Sequence, residues 1–336
     1  MKDYKINLQL FADNLQTTLL DGLSPEMKTF YDMTLIDEAG PQLVHDQFGQ
    51  KRPIPKNGGK TIEFRKFSPL AKATTPLTEG VTPDGKSLEV TTITATVSQY
   101  GDYITQSDVL ELTSIDNTIL EATKLLGKQA GATLDTVVRD ILVSGTTVAW
   151  ASKWNGTTET EVKSRSALDK TATLKVDTIQ RVVAHLRAQN APTINGKYVA
   201  IVHPYVAYDL MRDPEWVDAH KYTNSTNLYE GEIGEIGGVR FVQTTEAKIW
   251  KDSTCPSGLA VFACLFFGEG AYGVTEITGG GLQTIVKQKG SAGTADPLDQ
   301  RSSVGWKAIK TAEILVPNYM VRVECCSKHS DIAVAN

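Results

Sequence analysis

Long hydrophobic runs are missing from this chain: no apolar stretch approaches the ~18 residues a spanning helix needs, so no membrane partner is expected. The opening Met1-Lys2-Asp3-Tyr4-Lys5-Ile6-Asn7-Leu8 has neither the apolar run nor the small-residue cleavage site of a secretory signal, which makes cytosolic synthesis the expectation. Cysteine is scarce, with Cys255, Cys264, Cys325 and Cys326 alone. The adjacent pair would face opposite sides of a strand and cannot form a regular zinc pair, leaving reduced, partly buried thiols. The five histidines are scattered, with no H-E-x-x-H and no pairing with cysteine at ligand spacing. Neither G-x-S-x-G nor a Walker loop occurs. No metal, no cofactor and no catalytic residue is therefore expected. An excess of positive charge is absent too. A formal net charge of −5 argues against a protein that condenses nucleic acid, since such binding rests on phosphate neutralisation.

The charge that is present is segregated. Asp3, Asp13, Asp21, Glu26, Asp32, Asp37, Glu38 and Asp46 face only Lys2, Lys5 and Lys28 over residues 1–50. The next stretch inverts this, with Lys51, Arg52, Lys56, Lys60, Arg65, Lys66 and Lys72 against Glu63. An acidic arm followed by a basic arm predicts complementary contacts between chains, and two solvated faces are the plainer alternative.

A chain of 336 residues exceeds what one core supports, so two lobes are expected. A helix is predicted around Ser24–Ala39, with Ser24 as cap and Pro25 at its first position. Pro53, Pro55, Gly58 and Gly59 punctuate the chain, and Thr61–Phe67 then alternates like a strand. Ser68–Lys86 holds three prolines and two glycines and predicts an irregular loop. Leu70, Leu77 and Val81 are too few to anchor that loop at home, which makes it a candidate contact with another copy. A second strand follows from Leu88, and its apolar parity switches at Thr91-Thr92, which predicts a bulge. From a cap at Asp116, Ile119, Ala122, Leu126, Ala130, Leu134, Val137 and Ile141 predict a helix of about 28 residues and roughly 40 Å. Gly127 and Gly131 inside it either weaken the helix locally or allow the close approach of another backbone.

Beyond a polar stretch over 145–173, Asp177 with Gln180 predicts a capped helix that Pro192 ends. His185 on that helix reads as a satisfied structural side chain. Strands are expected at Tyr198–Val202, Val239–Gln243 and Leu259–Phe267, and a mobile glycine-rich stretch at Gly279–Gly293. Val304 to Val316 and Tyr319 to Cys325 alternate around Pro317-Asn318 and predict an antiparallel pair. Gly268-Glu269-Gly270-Ala271-Tyr272-Gly273 fits G-x-G-x-x-G, but the β-favouring Val274-Thr275-Glu276-Ile277-Thr278 follows where a dinucleotide site needs a helix. Asp296-Pro297-Leu298-Asp299 reads as a polar turn.

This order of elements, with Leu8-Gln9-Leu10-Phe11-Ala12 at the start and Val304-Gly305-Trp306-Lys307 before Pro317-Asn318, resembles tailed-bacteriophage major capsid proteins of the Hong Kong 97-type fold. The closing motifs are similar to the N-four-like branch. The resemblance implies an α+β fold with an N-terminal arm (1–57), an extended β-hairpin loop (58–106), a spine helix with the first part of a peripheral domain (107–173), an axial domain (174–300) and closing strands (301–336). It implies self-assembly into pentamers and hexamers of an icosahedral shell in the virion. The chain would be made in the host bacterial cytoplasm, with scaffolding, portal and decoration proteins as partners. Packaged double-stranded DNA would lie on the inner face without specific binding. Some members crosslink through a lysine and an asparagine, and no residues here match that chemistry. The candidate inter-subunit residues are Lys51, Arg52, Lys56, Lys60, Arg65, Lys66, Leu70, Leu77 and Val81. An encapsulin-like compartment shell is the rival of the same fold, and a nucleotide-dependent enzyme the rival of another class.

Overall fold

The computed structural model describes residues 33–40, 43–67, 70–77, 79–82, 84–114, 117–156, 158–221, 234–291 and 296–336. The expected cap at Ser24 and Pro25 lies outside them; the helical segment α1 is described over 33–39. In chain order there follow β1 (Gln50–Lys51), β2 (Thr61–Phe67), β3 (Val90–Thr96), β4 (Ser98–Ser107), α2 (Asp108–Thr113) and α3 (Thr118–Val143). Next come β5 (Val148–Trp150), β6 (Lys153–Trp154), β7 (Glu159–Thr160), α4 (Val176–Ala188), β8 (Tyr198–Val202), α5 (Pro204–Met211) and α6 (Pro214–Lys221). The chain closes with β9 (Glu235–Ile236), β10 (Val239–Gln243), β11 (Ile249–Trp250), β12 (Val261–Phe267), β13 (Tyr272–Glu276), β14 (Gln283–Lys287), β15 (Arg301–Ile314) and β16 (Met320–Cys325). Two compact units result, and the chain passes from one to the other after Gly40, within β4, within α3, after Gly281 and within β15.

The smaller unit holds α1, most of β4, α2, the first half of α3, β14 and the first half of β15. Gly127 is where α1 meets α3: a Cβ there would sit 2.8 Å from the Leu35 carbonyl oxygen and 3.0 Å from Glu38 Cβ. Only glycine admits this approach, so at Gly127 close packing, and not mere local weakening, is the outcome. The cap expected at Asp116 lies outside the described residues; at the start of α3, Asn117 Oδ1 accepts the Leu120 N–H at 3.2 Å. The glycine-rich stretch expected to be mobile carries β14, paired antiparallel with β15 from Gln283↔Lys307 to Lys287↔Ser303. Gln129 ties the helix to the sheet with both ends of its amide. Its Nε2 donates to Asp102 at 2.7 Å and its Oε1 accepts from the Trp306 indole at 3.3 Å.

The larger unit is built on the sheet β5-β16-β12-β8-β10-β9, with β11 also on β12. Every residue of β8 and β12 is buried, which is why both read as unbroken apolar runs. Alternate residues serve two cores. Tyr198, Ala200, Val202, Phe262, Cys264 and Phe266 join the cluster that includes the α4 residues Ile179, Val183 and Leu186. Val199, Ile201, Ala263, Leu265 and Phe267 join Val138 and Leu142 from the second half of α3.

Several local expectations yield to tertiary structure here. β15 and β16 do not pair: β16 lies between β12 and β5, while β15 pairs with β13 over Ala312↔Val274 and its neighbours. The 3₁₀ turn at Pro317–Tyr319 carries the chain from one sheet to another, and alternation alone does not name a strand's partner. The Asp177–Gln180 capping box does not form. Helix α4 begins two residues earlier, at Val176, and the Asp213 carboxylate accepts the Val176 N–H at 3.0 Å, leaving Asp177 to bond Arg181 at 2.8 Å. The helix stops at Asn190, held at φ +54°, before Pro192 is reached. His185 is exposed and is not a core side chain.

The buried stripe of α3 runs Ala122, Leu126, Ala130, Leu134, Val138 and Leu142, whereas Ile119, Val137 and Ile141 are only half-buried. A four-residue spacing outruns the helical repeat, so the stripe rotates along the helix. Leu134 is 3% exposed, as its position in the pattern predicts. Leu134→Ala is expected to cost about 2–5 kcal/mol in urea unfolding of the subunit; a loss below about 1 kcal/mol would show that the site collapses around the truncated side chain.

Candidate inter-subunit surface

The hairpin β2–β3 pairs without interruption from Thr61↔Thr96 to Phe67↔Val90, so the bulge expected at Thr91-Thr92 is absent. The parity switch arises because Leu88 lies outside the strand and Val90 is on the solvent face, while Ile93, Ala95 and Val97 share the inner one. At the root this inner face is anchored at home. Phe64 and Ala95 pack with Leu315, flanked by Ile62, Ile93 and Val316. The Phe64 ring occupies the space over Gly273, where a Cβ would meet it at 2.8 Å, and Arg52 stacks on that ring at 5.9 Å.

Beyond the root the described residues of the hairpin are exposed. No described residue of the connecting loop is buried. Leu70, Leu77, Val81 and Leu88 are each more than half exposed, and so is Phe67 at the end of β2. A long, uncovered apolar tip on a firmly seated root is the feature of this unit that its own fold does not explain.

The basic residues behave unequally. Lys51 lies 3.7 Å from Asp46, which also pairs with Lys310 at 3.0 Å, and Glu38 of the acidic arm lies 3.6 Å from Lys128. Part of the acidic arm is thus neutralised within its own chain. Lys56, Lys60, Arg65, Lys66 and Lys72 have no carboxylate within ion-pair distance among the described residues. They form a cationic limb from the hairpin root to the start of its loop.

Other groups with chemical potential are built into the larger unit. The glycine motif is structural: a Cβ on Gly268 would lie 2.3 Å from the Pro192 carbonyl oxygen, Gly270 has φ +70°, and β13 follows where a phosphate-binding helix would stand. All four cysteines are free and buried. Cys264 and Cys325 approach to 3.7 Å, and their mutual hydrogen bond with burial holds the Cys325 thiol well above its usual range. Burial pushes Cys326 up to about 12.

A cavity of about 340 Å³ is lined by His203, Pro204, Tyr205, Thr245, Ile249, Ile332, Ala333 and Val334. Burial lowers the His203 pKa to about 4, and its Nδ1 accepts the Tyr205 N–H at 3.1 Å as the cap of α5. Among the described residues no group of histidine, cysteine or carboxylate side chains is placed to hold a metal, and no helix is long and apolar enough to cross a membrane.

Sequence reasoning missed two buried clusters. His45 donates its backbone N–H to Asp135 Oδ1 at 2.7 Å and sets Nδ1 2.6 Å from Oδ2, while its carbonyl accepts from the Tyr272 hydroxyl at 2.6 Å. Glu324 gathers Arg165, Arg322 and the Trp150 indole, and the Arg165 guanidinium stacks 3.8 Å above Trp250. This second cluster anchors the polar stretch after α3 that no pattern placed. The bonds that join His45 to Asp135 and Tyr272, and Glu324 to Arg165 and Trp150, span 90 to 227 residues and leave no local signal.

The sequence profile described as phage capsid protein matches residues 89–320, more than half of the chain. The chain belongs to the phage capsid protein family. No protein of curated function matches it in sequence. In structure, this capsid protein is similar to the capsid of Ralstonia phage GP4, with TM-score 0.63 and 14% identity over 85% of this chain and 88% of that one. The capsid of cyanophage P-SCSP1u matches with TM-score 0.62 and 13% identity over 84% and 87%. The cyanophage Pam1 capsid asymmetric unit matches with TM-score 0.61 and 11% identity over 97% and 99%. The fold is therefore the α+β Hong Kong 97-type capsid fold, and the protein is a structural component of a bacteriophage capsid that associates with copies of itself.

Proposed function

We propose that this capsid protein builds an icosahedral shell of pentamers and hexamers around a double-stranded DNA genome, and that it does so without catalytic activity. The observation that carries the reading is the hairpin: seated at its root by Phe64, Ala95 and Leu315, it extends an apolar tip that its own unit does not cover. In this reading the chain divides into arm (1–57), hairpin loop (58–106), spine helix with the first peripheral part (107–173), axial domain (174–300) and closing strands (301–336). Synthesis occurs in the host bacterial cytoplasm, with scaffolding, portal and decoration proteins as further partners. The net charge of −5 favours DNA that slides against the inner wall without specific binding. Electron microscopy of the expressed full-length chain tests the proposal. Closed shells with five- and sixfold capsomers are expected, and filaments or discrete small rings at all concentrations would overturn it.

The cationic limb is the electrostatic part of the same contact. Lys56, Lys60 and Lys72 are the informative residues, because Lys51 has Asp46 and Arg52 has Phe64 at home. Reversing all three to glutamate is expected to leave the subunit's Tm nearly unchanged, since exposed ion pairs contribute only about 0–1 kcal/mol each. Particle yield should fall and become strongly salt-dependent, because the weak term recurs in every subunit. Yield curves across an ionic-strength series that coincide with the parent's would mean that the limb is a solvated surface.

A further inference from the structure

The short helix α2 buries none of its residues, yet Val109, Leu110 and Leu112 are large, apolar and exposed. It is nevertheless well held. Ser107 Oγ accepts the Leu110 N–H at 3.3 Å, the Asp108 N–H donates to the Gln300 carbonyl at 2.9 Å, and Glu111 pairs with Lys289 at 3.1 Å. A segment anchored by its polar groups with its leucines uncovered is a seat prepared for something else.

We propose that α2 of one copy receives the hairpin tip of another. This rests on the reading that the hairpin makes an inter-subunit contact, and it names the surface that accepts it. The two patches match in chemistry. The tip offers Phe67, Leu70 and Leu77 beside Arg65, Lys66 and Lys72; α2 offers Val109, Leu110 and Leu112 beside Asp108 and Glu111. A tip-to-tip contact would oppose like charges and leave the α2 leucines in water. A tip on α2 covers both apolar sets, places carboxylates against the cationic limb, and is heterologous, the kind of contact that repeats around a ring. The acids of the returning limb, Glu79, Asp84 and Glu89, fix the orientation, because the outgoing limb alone complements α2.

Leu112→Asp is the direct test, on a side chain 79% exposed, so that the subunit's Tm stays at the parent value. The particle fraction in sedimentation should fall by at least about tenfold, since each contact loses one leucine's burial. As a second measurement, Leu70→Cys and Leu112→Cys are made in separate full-length chains, the native cysteines all being buried. Under mild oxidation a disulfide-linked dimer is expected only when the two are mixed. Parent-like assembly of Leu112→Asp together with no mixed dimer would overturn the seat. If deleting 71–85 still blocks assembly in that case, the hairpin reading survives and another surface, on this chain or on a different protein, receives the tip. If the deletion assembles normally, the hairpin reading falls and the seat with it.

Discussion

Deleting Ala71–Gly85 is expected to yield a subunit that folds and melts like the parent but forms no closed shells. The residues that hold the hairpin to its own unit lie outside the deletion: Phe64 and Ala95 with Leu315, and the Val97 N–H on the Lys60 carbonyl at 3.0 Å. Within it, every described side chain is exposed, and the bond from Lys86 Nζ to the Ala71 carbonyl, at 3.5 Å, is weak. Folding therefore loses little. Assembly loses Leu77 and Val81 from every subunit, and burying side chains of this size is worth about 1.5–3 kcal/mol each. Sedimentation velocity with electron microscopy reads the result. Normal particles would show that the loop is dispensable; an unfolded subunit would show that it packs at home.

The second large effect belongs inside the subunit. Glu324 is 2% exposed and accepts from Arg165 Nη2 at 2.6 Å, Arg165 Nε at 2.9 Å, Arg322 Nε at 3.1 Å and Trp150 Nε1 at 3.2 Å. Arg322 also reaches the carbonyls of Val143 and Gly145, where α3 ends with unsatisfied acceptors. Glu324→Ala would take the carboxylate from two guanidinium groups, which keep only the neutral acceptors of Thr254, Val143 and Gly145, and the acceptor from the Trp150 indole. Removing one partner of a buried pair costs about 3–5 kcal/mol, and the lower end is expected because Arg165 keeps a fifth of its side chain in water. Glu324→Gln, which retains an acceptor but no charge, should fall between. Urea midpoints for the three proteins decide the point; equal midpoints would mean that the arginines find other partners or enough water.

Much of the fold was legible because it is written in local periodicity. Thr61–Phe67 alternates, and β2 has those bounds. The apolar residues of α3 recur at helical spacing, and Leu126 and Leu134 are buried as that spacing demands. Tyr198–Val202 is an unbroken apolar run and is buried on both faces. Gly127 inside a helix left either a local weakening or a close backbone approach, and α1 makes the approach. The exposed hairpin tip was legible for the same reason: its prolines and glycines forbid a regular element, and its few apolar residues cannot build a core.

What the tertiary structure alone decided is which segments meet. Alternation in Val304–Cys325 specifies two strands, but strands of similar pattern compete for the same partners, and only the packing of both sheets sends β15 to β13 and β14 and β16 to β12 and β5. The cap of α4 comes from Asp213, the clasp on His45 from Asp135, and the counter-charge of Arg165 from Glu324, each far along the chain. A carboxylate in a sequence carries no mark of the partner it will find. Those pairings are fixed only when burial removes the competing water, and that depends on every segment arriving together.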